Sequence, residues 1–387
     1  MKKVMFYMAA AAVALISCTN EETVDVDDSG TIKFRAVMGA GANSRGIETK
    51  TENLNEFKVC GVVEGQSEHY IEKQTFTKNG GLFTSSQTYR WPEKSVVDFY
   101  AYTYYPGKTG ETDNKVDYTK LNVSLGTGSH TISDFTPEAE IAKQIDPVTA
   151  YAYGDEYQSS VSGVELEFNH MLSKILINAK SASSVYEFHI LGARIANIKS
   201  KGGTWNIKTK SWSDNPATDS QTVTYAIRNF EQPKTLTYNG EQNEDEQNED
   251  KSTTIIGDDS PAMLLPQSLT AWSPKDVKDK KGSNGAYISV LLRITMANPS
   301  GTHVVFPDPT ASYTKIKDNN QNDYAWANIP ISTVWKEGNC YTYTLNFLSG
   351  AGYDDEGEKI LGDQIFFTTT VSEWTKQTNT LENIANQ

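Results

Sequence analysis

Cysteine is scarce in this chain, with three in 387 residues, at positions 18, 60 and 340. That excludes a disulfide-held scaffold and leaves at most one bridge, Cys60 to Cys340; both stand in strand-like runs, where buried free thiols fit equally well. No apolar run is long enough to span a bilayer as a helix. The longest, VMFYMAAAAVALI (4–16), has 13 residues, against the ~20 required. Basic residues are outnumbered, 35 against 49 acidic, and the net charge of −14 argues against nucleic acid and anionic lipid headgroups as partners.

Patterns that carry catalysis are missing as well. The five histidines, His69, His130, His170, His189 and His303, include no pair at i, i+4. His170 and His189 lie in strand-like runs, where a satisfied, partly buried side chain is expected. PGKTG (106–110) lacks the leading glycine of a phosphate loop, GAGANS (39–44) lacks the third glycine of a dinucleotide turn, and DVDDSG (25–30) starts like a calcium loop that has Ala36 at its twelfth position. No Gly-x-Ser-x-Gly elbow occurs. Scattered carboxylates leave a paired-carboxylate hydrolase formally open, but the expectation is a non-enzyme with no catalytic residue, cofactor or metal.

What is present begins at the N-terminus. Lys2 and Lys3, the apolar run and the small residue Ser17 follow the grammar of a secretory signal over 1–17. Cys18 comes directly after Leu15-Ile16-Ser17, which looks like a bacterial lipobox, with cleavage between Ser17 and Cys18 and acylation of Cys18. Acyl chains at ~0.8 kcal/mol per buried CH₂ make such a residue a durable anchor. Residues 18–30 then form an acidic tether bearing Glu21, Glu22, Asp25, Asp27 and Asp28. Without Lys2 and Lys3 the charge is −16, which suits a soluble, mutually repelling surface protein.

The rest reads as short strands. TIKFRAVM (31–38) sets Ile32, Phe34, Ala36 and Met38 on one face, and EFKVCGVVE (56–64) aligns Phe57, Val59, Gly61 and Val63. SVVDFYAYTYYP (95–106) and AYISVLLRITM (286–296) are apolar on both faces, as in central strands. CYTYTLNFL (340–348) and QIFFTTTVSEW (364–374) alternate again, and NGG (79–81), KGG (201–203) and NG (239–240) supply turns. Seven tryptophans could build a sugar-stacking platform, although core or rim packing is the simpler expectation. The pattern predicts an all-β protein of antiparallel sandwiches, with a boundary near YGDEYQSSVSG (153–163) dividing domains 31–158 and 159–387. GEQNEDEQNEDK (240–251) is too polar to fold and is expected to be a disordered loop.

The order of these pieces resembles the fimbrillin family of type V pilus subunits. The resemblance rests on the lipobox, TIKFRAVM with a following loop that bears SRG, FKVCGVV, YRWPEKSVVDFYAY (89–102), FNHMLSKILI (168–177), VWKEGNCYTYTLNF (334–347) and VSEW (371–374). It implies two tandem transthyretin-like sandwiches, exported as a surface-exposed outer-membrane lipoprotein and assembled into fimbriae. It further implies a protease cut at Arg45-Gly46, loss of the first strand, and its replacement by a strand of another pilus subunit. A host protein or glycan is a further partner on this reading. The tail after Trp374 is polar and a poor donor strand. QIFFTTTVSEW as donor points to a stalk unit; the same segment folded into its own domain points to a tip or accessory unit. The rival reading is a monomeric, glycan-binding surface lipoprotein.

Overall fold

The computed structural model describes residues 30–39, 48–109, 112–126, 129–159, 162–217, 222–236, 238, 252–257, 259–279, 285–363, 365–374 and 381–382. Nearly every regular element is a strand, as the alternating Val, Ile, Thr and aromatic runs predict. The longest helix among the described residues is the single turn Pro274–Lys278, and none there is long and apolar enough to cross a membrane.

Seven strands close a first sheet on itself: β1 (Phe34–Met38), β2 (Glu56–Val63), β3 (His69–Asn79), β4 (Leu82–Thr84), β5 (Val97–Tyr104), β8 (Pro147–Gly154) and β9 (Val164–His170). Their order is β1-β9-β8-β5-β2-β3-β4, and Phe34 opposite Phe83 closes the ring. Period-two alternation turns Phe57, Val59, Phe76, Phe99, Leu166 and Phe168 into one core. The β3–β4 hairpin turns at Gly80, whose φ of +60° suits glycine. β5 is sealed on both sides, as its continuous aromatic run predicts: Phe99 and Ala101 face the barrel core, while Tyr100, Tyr102 and Tyr104 join a cluster outside it. All ladders of this sheet are antiparallel except β1 on β9.

The boundary expected after residue 158 falls between two strands that share one core. β9 lies beyond it, yet Val164, Leu166 and Phe168 complete the first core. Within 153–163, residues 153–154 end β8 and Glu156–Ser159 form one helical turn before β9, with Tyr153 and Tyr157 exposed and Gly154, Ser159 and Gly163 buried.

The second unit is a sandwich. One sheet holds β10 (Ser173–Ser181), β15 (Thr253–Ile256), β16 (Ala262–Leu264), β20 (Asn339–Phe347) and β21 (Phe366–Glu373), ordered β15-β10-β20-β21 with β16 also on β10. The other holds β11 (Tyr186–Lys199), β14 (Thr222–Leu236), β17 (Tyr287–Asn298), β18 (Gly301–Phe306) and β19 (Asp323–Pro330), ordered β14-β11-β17-β19 with β18 on β17. Ile175, Ile177, Tyr343 and Leu345 of the first meet Ile190, Ile195, Val290 and Leu292 of the second. Here too a single long ladder, β10 on β20, is parallel.

Two strands from each half build a third layer between the units: β6 (Val123–Gly126), β7 (Ser129–Ser133), β12 (Gly202–Asn206) and β13 (Ser211–Ala217). Ile132 and Trp205 from this layer pack with Tyr100, Tyr102, Leu265 and Trp374. The tandem all-β architecture expected from the sequence is therefore observed, with the units joined by a shared core. Cys60 and Cys340 are both buried, and no disulfide joins them.

Candidate functional site

The first strand of the barrel is inserted into its core. Phe34 is fully buried, and its ring meets Phe76 at 4.8 Å, Phe99 at 5.0 Å and Phe57 at 6.1 Å, each edge to face. Ile32 and Met38 are buried beside it. Five residue pairs join β1 to β9, but only Phe34–Phe83 joins it to β4. Both ends are fastened by the backbone: Ile32 N–H donates to Tyr89 O at 2.8 Å, and Gly39 N–H donates to Phe168 O at 2.8 Å. A barrel without β1 would have a trough between β9 and β4, floored by Phe57, Phe76, Phe83, Phe99, Leu166 and Phe168.

Where the described chain resumes after residue 47, it is buried and polar. Glu48, Thr49 and Lys50 are each less than a tenth exposed. Thr49 N–H donates to Asp146 Oδ2 at 2.9 Å, Thr49 Oγ1 donates to Asp146 O at 2.7 Å, and Tyr105 N–H donates to Thr49 Oγ1 at 2.8 Å. Asp146 also takes His170 Nδ1 at 2.9 Å. Glu48 Oε2 faces Lys174 Nζ at 3.1 Å, while Glu48 Oε1 accepts from Trp374 Nε1. The Trp374 ring lies flat on His170, with centroids 3.9 Å apart and planes 5° apart. Side chains from five separate segments thus satisfy one another in a dry site, which an isolated charge there could not tolerate.

Trp374 follows directly on β21, which is one short strand from the end of its sheet. On one side β21 has a full ladder with β20; on the other, among the described residues, only Thr369 and Thr370 pair, with Glu382 and Leu381. Ile365, Phe367 and Val371 are half-buried against the sandwich core, and Phe366 on the outer face is 64% exposed.

Two of these features were legible beforehand. TIKFRAVM is a core strand, and His170 is a satisfied, buried histidine. The proposed processing residues Ser17, Cys18, Arg45 and Gly46, and the loop 240–251, lie outside the described residues. The grouping of Glu48, Asp146, Lys174 and Trp374 was not foreseen. Its trace in the sequence is a lysine interrupting the apolar run MLSKILI and a tryptophan closing VSEW.

A family model described as fimbrillin-like matches residues 42–374. The chain belongs to that family. Among solved structures, this fimbrillin-like chain is similar to a fimbrial protein from Bacteroides vulgatus, at 14% identity over 89% of this chain and 99% of that one, with a TM-score of 0.54. It is also similar to a candidate cell adhesion protein from Bacteroides uniformis, at 16% identity over 90% of this chain and 99% of that one, with a TM-score of 0.40. At such identities the first likeness is one of fold. No curated protein matches the chain. In this fimbrillin-like chain the matched region ends at Trp374 and begins six residues before Glu48, so its limits lie close to the two residues that hydrogen-bond in the buried site.

Proposed function

We propose that the chain is a structural, adhesive subunit of a pilus, with no catalytic role, made as a lipoprotein precursor. The signal 1–17 is removed, Cys18 is acylated at the outer membrane, a protease cuts Arg45-Gly46, β1 leaves, and a strand of another subunit fills the trough. The observation that carries this reading is the insertion of β1. It fills an aromatic core, is fastened at both ends by backbone hydrogen bonds, and has one five-pair ladder and a single closing pair. An opened trough of this kind exposes both apolar pockets and unpaired backbone, and strand addition satisfies both.

The donor best supported is β21. Ile365, Phe367, Thr369 and Val371 have the same spacing as Ile32, Phe34, Ala36 and Met38 on the first strand segment, with isoleucine and phenylalanine in the same first two places. The sequence links a folded QIFFTTTVSEW to a tip or accessory unit; its half-buried face, and an outer side with two pairs among the described residues, support transfer instead. The monomeric glycan binder needs aromatic faces open to sugar; Trp91, Trp205, Trp272, Trp335 and Trp374 are buried, Trp212 and Trp326 are half-buried, and the exposed aromatics among the described residues are Tyr70, Tyr153, Tyr157, Tyr238 and Phe366.

Incubating the lipidated chain with a trypsin-like protease tests the proposal. A single cut at Arg45 followed by detergent-resistant ladders is expected, and Arg45→Ala should prevent both. An uncut monomer that is retarded on polysaccharide gels would overturn it. Cys18→Ala should abolish acyl labelling, and labelling that persists would remove the anchor from the scheme.

A further inference from the structure

The buried polar site lies where two moving parts of this scheme meet. Glu48 stands just after the loop to be cut, and Trp374 stands at the end of the strand to be donated. Along β21 the contacts with the core are partial, with Ile365, Phe367 and Val371 half-buried. Its C-terminal end is different. Trp374 is 6% exposed, its backbone N–H donates to Gly338 O at 2.8 Å, its indole N–H is taken by Glu48, and its ring is stacked on His170.

We propose that Glu48 and His170 form a latch on Trp374 that holds β21 in its own sheet, and that this latch must open before β21 can transfer. The inference rests on the strand-exchange reading above and adds a control step to it. Four hydrogen bonds that fix the holding side are made by residues that remain after a cut at Arg45, while Met38 N–H of β1 donates to Thr51 Oγ1 at 3.0 Å and would be lost with the strand. Thr49 is held by Asp146 and Tyr105, Asn53 Nδ2 donates to Glu48 O at 2.8 Å, and Lys50 N–H donates to Asn53 Oδ1 at 2.6 Å. The cut therefore opens the acceptor trough and leaves the donor latched, so the two events are separate steps.

The chemistry of the latch suits release. When Trp374 departs, Glu48 keeps Lys174 at 3.1 Å and His170 keeps Asp146 at 2.9 Å, so no buried charge is stranded. The latch itself contributes the indole hydrogen bond to a carboxylate, the ring stack on His170 and the backbone hydrogen bond to Gly338 O, in addition to the ladder that β21 makes with β20.

The test uses amide hydrogen exchange on the uncut full-length chain, where neither cleavage nor assembly intervenes. Trp374→Phe keeps an aromatic ring and removes the indole N–H. The β21 amides should then exchange about tenfold faster, while those of β1 and β9 are unchanged. Unchanged β21 exchange, or an equal rise throughout the chain, would overturn the latch. If Trp374→Phe loses its near-ultraviolet circular dichroism, Trp374→Leu provides the second variant, since it removes both the indole N–H and the ring stack and leaves the Glu48–Lys174 pair intact, with the same expected and overturning outcomes. After cutting, the variant should also form ladders faster than wild type, at an unchanged rate of cleavage. Faster β21 exchange with no ladders from either protein would uphold the latch and sink the strand-exchange reading. Ladders from both at equal rates, with equal exchange, would do the reverse.

Discussion

Replacing Phe34 by alanine should destabilise the intact chain and have no effect once the first strand is gone. The side chain is fully buried, and its ring contacts three others at 4.8, 5.0 and 6.1 Å, so few neighbours can collapse into the space it leaves. Losing the transfer energy of the ring and leaving a cavity costs about 3–5 kcal/mol for such a substitution. A central value of about 4 kcal/mol is nearly a thousandfold in the unfolding equilibrium. At about 2–4 °C per kcal/mol for domains of this size, the melting temperature should fall by roughly 8–16 °C. Thermal denaturation of wild type and Phe34→Ala, before and after protease treatment and removal of the N-terminal fragment by gel filtration, reads both halves of the prediction. The two proteins should differ widely when intact and coincide when stripped. A difference below about 1 kcal/mol in the intact chain would mean that Phe34 does not hold the barrel. A difference that survives cleavage would mean that β1 stays bound.

Asp146→Ala should cost about 3–5 kcal/mol, because Thr49 N–H and His170 Nδ1 lose their acceptor in a buried site; urea denaturation measures it, and a loss under 1 kcal/mol would refute the network's role. A different histidine should make stability depend on acid. Burial and the facing His69, at 2.9 Å between Nε2 atoms, push His130 down to about 4. Its folded pKa thus lies below the unfolded value of ~6.5, so its contribution is complete above pH 6.5 and is lost as the pH falls toward 4. The loss should be about 2 kcal/mol, less than the full shift implies because water reaches the His69 side of the pair. His130→Gln should flatten this part of the profile of melting temperature against pH, and an unchanged slope would assign it elsewhere.

Period and turn chemistry carried most of the architecture. Ile32, Phe34 and Met38 face the core as their spacing requires, and β5 is buried on both sides because both of its faces are aromatic. Closure of the barrel was not legible, since Phe34–Phe83 is one pair between segments that local pattern does not connect. The buried site was hardest to anticipate. Glu48, Asp146 and Lys174 look like ordinary surface charges one at a time, and their burial follows only from the way β9, β10 and Trp374 converge. The strand repeat between 32–38 and 365–371 was present in the residues throughout. It gains meaning once the core-facing Ile32, Phe34 and Met38 are seen buried and Ile365, Phe367 and Val371 half-buried.

That contrast gives a direction to the proposed exchange. In their own sheet Ile365, Phe367 and Val371 are half-buried, whereas the matching residues of β1, Ile32, Phe34 and Met38, are 4%, 0% and 8% exposed. Moving the donor residues into such pockets completes the burial of three apolar side chains, worth about 2–4 kcal/mol in total. In the intact chain this gain is unavailable, because β1 occupies the trough as a tethered competitor at an effective concentration of about millimolar or more. A peptide of residues 364–374 at about 10 μM should therefore bind the stripped chain and not the intact one, as read by fluorescence polarisation. Phe367→Asp in the peptide should abolish binding, since it would place a charge in the aromatic pocket of Phe34. Equal binding to both forms would show that the peptide adds to an outer edge, and no binding to the stripped form would remove β21 as the donor.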